Sequence, residues 1–293
     1  MSSSMFETTH VSLVGNRNNN QDRCAVLESV DTVLLVVADG MGGHPKGEEA
    51  AQLVVDTCED AFMRTKKPIA EPERFLEHIA RQAHEAIITF GYRHIPAIDP
   101  RTTVVLCLVQ NGLAYWGHVG DSRLYHFREG GVAGKTIDHS YVERLREQGI
   151  INDAEKENHP FRNYVTRCLG GSPTPPELTL LDTPARLEKG DILLLCTDGL
   201  WGPLGDERLA AGLDNGEKLS SLLTRMADMA VDEASPSSDN VTGVAMRWLF
   251  PAIGQAAAAA PVVRAADKTD KLTQAIDDLK TALEIFDART RQD

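Results

Sequence analysis

Two stretches of the chain are near copies of one another. Residues 32–43 read TVLLVVADGMGG and residues 191–202 read DILLLCTDGLWG. In each, a run of apolar residues stops at Asp-Gly: Asp39-Gly40 in the first and Asp198-Gly199 in the second. A continuous apolar run of this length, bounded by turn residues, suits a strand buried on both faces. A carboxylate at the end of such a strand is held rigidly. The Gly after it lets the backbone turn sharply and leaves its carbonyl facing the same site. Two such strands imply a shared site. The residues available to complete it are oxygen donors, which points to a hard metal ion.

Further acids fit the scheme. Asp239 opens the alternating, β-favouring segment DNVTGVAM, Asp121 lies in GDSR between two apolar runs, and Asp22 ends RNNNQD. Asp at a turn also bends the chain through its own hydrogen bonds to the backbone. That explanation serves any one of these acids but not the set with its repeated apolar-Asp-Gly pattern.

The motifs RNNNQD (17–22), ADGMGGH (38–44), VGDSRLY (119–125), DHS (138–140), TRCLG (166–170), CTDGL (196–200) and DNVT (239–242) follow in this order. Through them, over roughly residues 8–250, the chain resembles the bacterial metal-dependent serine/threonine protein phosphatases of the protein phosphatase 2C type. The resemblance implies an α+β fold: a central antiparallel β-sandwich flanked by helix pairs in four αββα layers, with the metal site at one edge. It implies hydrolysis of phosphoserine and phosphothreonine on proteins by water activated between two Mn2+ or Mg2+ ions. Asp39 would bridge the ions and the Gly40 carbonyl would bind the first. Asp198 and Asp239 would bind the second, Asp22 would act close to the first through water, and Asp121 with Asp198 can hold a third. The implied partners are phosphorylated proteins, among them a bacterial serine/threonine kinase and its substrates. The competing reading is a docking module that keeps the fold without turnover, against which the complete set of acids argues.

Arg17 is the candidate phosphate clamp, because a guanidinium takes two phosphate oxygens in a planar fork that Lys cannot copy. Arg123 in GDSR reads as structural, paired with a nearby acid. Met41 stands where eukaryotic relatives place a His proposed as general acid, so the leaving group takes its proton from water. Arg101 stands before Thr102-Thr103 where the family often has Gly, and the sequence explains nothing about it.

Other chemistries are excluded by spacing. His139 in Asp-His-Ser invites a triad, but adjacent residues cannot supply a triad's geometry. GMGGHPKG (40–47) has Pro45 where a GxGxxG loop needs its third Gly, and no GK[ST] follows. His78 and His84 lie on one helix-like segment without sharing a face. The five Cys show no CxxC spacing and sit mostly in apolar runs, as small buried hydrophobes of a reducing compartment do. With 43 acidic and 30 basic residues the net charge is −13. That balance disfavours nucleic acid, whose phosphates need clustered Lys and Arg, and a polybasic membrane contact. The opening MSSSMFETTHVSLVG has no basic n-region and no apolar h-region, and no run is long enough to span a bilayer. The expectation is a cytoplasmic chain, in which the sequon Asn240-Val241-Thr242 means nothing and Asn240 supports the turn at Asp239.

Strand-like segments fall near 9–14, 23–28, 32–38, 102–109, 113–119, 122–127, 178–182, 191–196 and 241–249, and helix-like ones near 47–64, 72–90, 140–148 and 217–232. Strands in runs with helices between them argue for stacked antiparallel sheets with outer helices. Residues 141–177 are less regular, and the resemblance makes them a flap beside the site. The catalytic domain is expected over 1–250, since Pro251 cannot continue a central strand. An Ala-rich linker follows over 251–267. Over 268–287, Leu272, Ile276, Leu279, Leu283 and Phe286 recur at the spacing of a coiled-coil seam. This predicts an amphipathic helix that self-associates or docks on a partner.

Overall fold

Each apolar run becomes a strand because both of its faces find a hydrophobic layer. In the computed structural model, which describes residues 5–213 and 217–251, the chain opens with β1 (Phe6–Leu13), β2 (Asp22–Glu28) and β3 (Thr32–Asp39). Two helices follow, α1 (Gly47–Arg64) and α2 (Pro72–Tyr92). Next come β4 (Arg101–Thr102), β5 (Val104–Gln110), β6 (Leu113–Val119), β7 (Arg123–Arg128) and β8 (Gly131–Lys135). The expected flap region holds α3 (Tyr141–Glu147), α4 (Asp153–Glu157) and β9 (Leu169–Gly170). The last part contains β10 (Thr179–Leu180), β11 (Ala185–Arg186), β12 (Ile192–Cys196), α5 (Asp198–Leu213), α6 (Leu219–Ala234) and β13 (Val241–Trp248).

Two antiparallel sheets form the frame. One runs β1-β13-β12-β7-β8 and the other β10-β6-β5-β3-β2, with β11 also paired to β6. Side chains alternate between faces along a strand, and the cores follow that period. Leu34, Val36 and Ala38 of β3 pack with Val54, Cys58 and Phe62 of α1 and with Leu76, Ile79 and Ile87 of α2. On the other sheet, Leu194 and Cys196 of β12 pack with Leu200 and Leu209 of α5 and with Leu223 and Met226 of α6. The alternate residues, Val33, Leu35 and Val37 on one side and Leu193, Leu195, Val244 and Met246 on the other, fill the space between the sheets. The helices therefore cover the outer faces, and the two sheets bury their inner faces against each other.

The helices have local causes. Ala50, Ala51, Val54, Val55, Cys58 and Phe62 put one buried stripe on α1, and Glu48 and Glu49 lie in its first turn, where negative charge meets the positive end of the helix dipole. Pro72 opens α2, a position whose missing N–H costs nothing. Three expectations need correction. The segment 102–109 is two strands, because Thr103 turns the chain so that β4 pairs with β9 while β5 joins the main sheet. The segment 178–182 keeps only Thr179 and Leu180 as strand. Asp198 follows closely on the end of β12, but the chain makes no sharp turn at Gly199: both residues lie in the first turn of α5, which breaks at Gly205 (φ 68°, ψ 168°). The chain divides after Ile253 into two units. The expected linker past Pro251 and the expected helix over 268–287 lie outside the described residues.

Candidate metal centre

The centre sits where the inter-sheet core runs out of apolar side chains. On β3, Val33, Leu35 and Val37 face the opposite sheet, and two residues on the same face belongs to Asp39. Asp22 shares the face of Cys24 and Val26, which pack on the same core. From the other sheet, Thr197 follows Leu193 and Leu195 in phase, and Thr242 precedes Val244 and Met246 in phase. Period-two alternation thus brings Asp22, Asp39, Thr197 and Thr242 to one end of the sandwich. Asp22 and Asp39 are direct antiparallel partners.

The carboxylates act on one another. Burial and the charges of Asp22, Asp198, Asp121 and Asp239 hold Asp39 well above the usual carboxylate range. Burial pushes Asp22 to about 7, against the hydroxyls of Thr242 and Thr197, which oppose the rise, while Asp198 and Asp239 add to it. Burial and Asp239 push Asp198 to about 6. Burial, Asp198 and Asp138 likewise raise Asp121. Asp22 and Asp121 are only 3 % and 7 % exposed, so water does little to screen them, whereas Asp39 and Asp198 keep partial access to solvent.

Crowded, desolvated carboxylates are costly until a cation neutralises them. A hard divalent ion is the cation that an all-oxygen donor set selects. The residues therefore fit Mn2+ or Mg2+. Among the described residues, no three His, Cys, Asp or Glu side chains form a ready-made ligand cluster.

Backbone support is dense. The Asp39 carbonyl accepts the Thr103 N–H (2.9 Å) and the Thr102 hydroxyl (2.8 Å), and the Asp39 N–H donates to the Thr103 hydroxyl (3.1 Å). The two glycines after the key acids do not serve the turn that the sequence suggested, since neither has a positive φ. They are places of close approach. A Cβ at Gly40 would meet the Gly47 carbonyl oxygen at 2.3 Å, and one at Gly199 would meet that of Asn240 at 2.0 Å.

Asn240 is a hub. Its Oδ1 accepts the Gln21 N–H (2.8 Å), and its Nδ2 donates to the carbonyls of Val14 (2.9 Å) and Asn19 (3.0 Å). It thereby pins the loop that carries Arg17 beside Asp239. Within that arrangement an Arg17 Nη donates to Asp239 Oδ2 at 2.7 Å, and the Arg17 side chain is 56 % exposed. Arg17 therefore stands at the mouth of the centre rather than inside it.

Asp121 is held from behind. Arg123 makes a two-pronged ion pair with Asp138, both contacts 2.8 Å, and its guanidinium lies 3.4 Å from the centroid of the Trp201 ring, whose Nε1 donates to the Asp121 carbonyl at 3.1 Å. Arg123 is thus structural, as its motif suggested. Arg101 gains an account: its Nε and Nη2 both donate to Asp99 Oδ2, at 2.9 and 2.5 Å, and its side chain lies against Gly171. His139 belongs to no triad. It stacks on His118 with ring centroids 4.4 Å apart, and its Nδ1 accepts the Gly120 N–H. Burial, with His118 and Arg167 nearby, drives its pKa down to about 2. The supporting residues missed by sequence reasoning are Thr102, Thr103, Thr197 and Trp201. The in-phase Thr at 197 and 242, breaking two apolar alternations, was the available signal.

Comparison with known proteins gives one family. A family model described as protein phosphatase 2C matches residues 12–241. The serine/threonine protein phosphatase PstP of Mycobacterium tuberculosis is 34 % identical over 211 residues, covering 72 % of this chain. The chain spans only 39 % of the length of that relative. The serine/threonine phosphatase stp of Listeria monocytogenes is 29 % identical over 231 residues, covering 77 % of this chain and 89 % of the relative. Among solved structures, the catalytic domain of PstP in complex with two manganese ions superposes with a TM-score of 0.71 at 29 % identity, over 84 % of this chain and 99 % of that one.

Proposed function

This chain belongs to the protein phosphatase 2C family, and from that premise we propose that it removes phosphate from phosphoserine and phosphothreonine on proteins. The observation that carries the reading is the set of mutually perturbed acids, Asp22, Asp39, Asp121 and Asp198, gathered with Asp239 at the end of the inter-sheet core. The same fold holds two manganese ions in the PstP catalytic domain.

In this reading Asp39 and the Gly40 carbonyl would hold the first ion, Asp198 and Asp239 would hold the second, and Asp22 would act beside the first. Asp121 with Asp198 would offer a third position. When bound, such ions polarise the phosphoryl group and lower the pKa of water to near neutrality. The chain's own side chains orient the reactants. Arg17, exposed at the mouth and already drawn to Asp239, swings its fork to phosphate oxygens. Met41 has no proton to give, so solvent protonates the leaving serine or threonine. No side-chain nucleophile is needed, because water attacks directly.

The proposed partners are phosphoproteins, including a serine/threonine kinase and its substrates. Self-association or partner docking is assigned to the seam over 268–287. A cytoplasmic location is supported by five free cysteines and by the absence, among the described residues, of a helix long and apolar enough to cross a membrane. The test is turnover of an aryl phosphate and of a phosphothreonine peptide with Mn2+ and with chelator. Activity is expected only with the metal. Full activity after metal stripping would sink the mechanism, and metal binding without turnover on either substrate would favour a docking role.

A further inference from the structure

We propose that Thr197 is a positioning residue for the metal centre: its hydroxyl, held by the backbone of β13, fixes the Asp22 carboxylate across the gap between the two sheets. The inference rests on the assignment of Asp22 to that centre.

Thr197 is fully buried just after β12, and Asp22 opens β2 in the opposite sheet. Thr197 Oγ1 accepts the Thr242 N–H at 3.2 Å and lies 3.0 Å from Asp22 Oδ2. A hydroxyl has one proton to donate, and an ionised carboxylate can only accept. One of its two lone pairs takes the Thr242 N–H, and its single proton goes to the ionised Asp22. The β13 backbone thus fixes where the hydroxyl oxygen sits, and the charge on Asp22 sets the direction of the bond.

A second set of contacts reaches the same acid. Asn20 Oδ1 accepts the Asp22 N–H at 3.0 Å, and Asn20 Nδ2 donates to Ser12 Oγ at 2.9 Å. The Ser12 and Thr242 hydroxyls are 2.9 Å apart, and the Thr242 hydroxyl also bears on Asp22. The Asp22 carboxylate therefore meets two hydroxyls from the other sheet, those of Thr197 and Thr242, while Asn20 in its own approach loop holds its backbone N–H.

A purely packing role fits poorly. Along this inner face the neighbours in phase are Leu193 and Leu195 before Thr197, and Val244 and Met246 after Thr242. Val at either position would continue the apolar layer with almost the same shape. The hydroxyls interrupt that layer only where a carboxylate enters it. The hydrogen bond to Oδ2 fixes the orientation in which the Asp22 carboxylate meets the centre. Groups that orient a ligand in this way commonly change metal affinity by about 10–100-fold when removed.

The test is calorimetric titration of the full chain with Mn2+, read beside aryl-phosphate kinetics and chelated melting temperature. Thr197→Val should weaken Mn2+ binding about 10-fold or more, with some fall in the chelated melting temperature because it strands the Thr242 N–H, and Thr197→Ser should restore both. In an Asp22→Ala background, Thr197→Val should change Mn2+ affinity no further, since its effect passes through Asp22. An equal loss in both backgrounds, or wild-type affinity in Thr197→Val, overturns the proposal. If Thr197→Val does not fold, Thr197→Ala carries the same cycle. Asp39→Asn is the control: were it to bind Mn2+ like the wild type, the centre itself would be misassigned, a failure distinct from that of Thr197.

Discussion

Asp22 and Asp39 are placed directly opposite one another in an antiparallel pair, an arrangement that disfavours like charges. The stability consequence follows from the direction of their shifts. A buried acid whose folded pKa is raised holds its proton longer in the folded than in the unfolded chain. Its contribution to stability is present below the unfolded value and declines as pH rises through the folded one. For Asp22 that window runs from its ordinary value of 3.8 to about 7. The buried His84, His118 and His139 have lowered pKa values and pull the other way as pH rises toward neutrality, so the whole-protein slope mixes both. The comparison must therefore be with a variant. Metal-free Asp22→Asn should gain melting temperature over the wild type, and the gain should widen from about pH 5 to about pH 7.5. A constant gap would remove Asp22 as the source. Asp39→Asn and Asp198→Asn should likewise melt no lower than wild type with chelator present, while losing aryl-phosphate turnover by at least about 100-fold. Near-normal rates would refute their assignment. Asp39 and Asp198 were legible in the sequence because apolar-Asp-Gly repeats. Thr197 was not, because its role depends on the phase of two strands from different sheets, which one segment of sequence does not show.

At the scale of elements, the strands that are buried on both faces were readable at once, since an unbroken apolar run has few other uses. α5 was not. Its residues Gly199, Gly202, Pro203 and Gly205 carry the signals of a loop, and the helix forms because Leu200, Leu204 and Leu209 find the outer face of the sheet. β8 was missed for the opposite reason: it is an exposed edge strand with little apolar content. The loop before β2 has no regular structure, and Asn240 substitutes for it with three hydrogen bonds. Asn240→Ala should cost about 2 kcal/mol, because it removes three hydrogen bonds to backbone groups of the loop. It should also raise KM more than it lowers kcat, since the loop it frees carries Arg17. Urea melts and steady-state kinetics on one preparation would check both, and an unchanged KM would show that Arg17 is presented by other means.

At the scale of the molecule, the question is how much of the chain the chemistry requires. The candidate residues run from Arg17 to Thr242, and the last strand ends at Trp248. β13 is a central strand, paired with both β1 and β12, so a cut that removed it would destroy a sheet. Beyond it, the Leu249 N–H donates to the Met5 carbonyl at 3.0 Å, and Phe250 packs against the inter-sheet core. A chain ending at Phe250 therefore keeps every contact of the centre that the described residues make. Its turnover of an aryl phosphate with Mn2+ should match that of the full chain. The removed segment includes Leu272, Ile276, Leu279, Leu283 and Phe286, whose spacing would give the helix proposed from the sequence an apolar seam. A helix of this length is only marginally stable alone in water, so the seam needs a partner surface. Truncation should therefore change the oligomeric state in solution or abolish binding to a partner while leaving kcat/KM intact. Light scattering and kinetics on the same truncated protein separate the outcomes. Lost turnover would show that residues after 250 support the centre, and an unchanged oligomeric state with unchanged partner binding would show that the seam holds nothing.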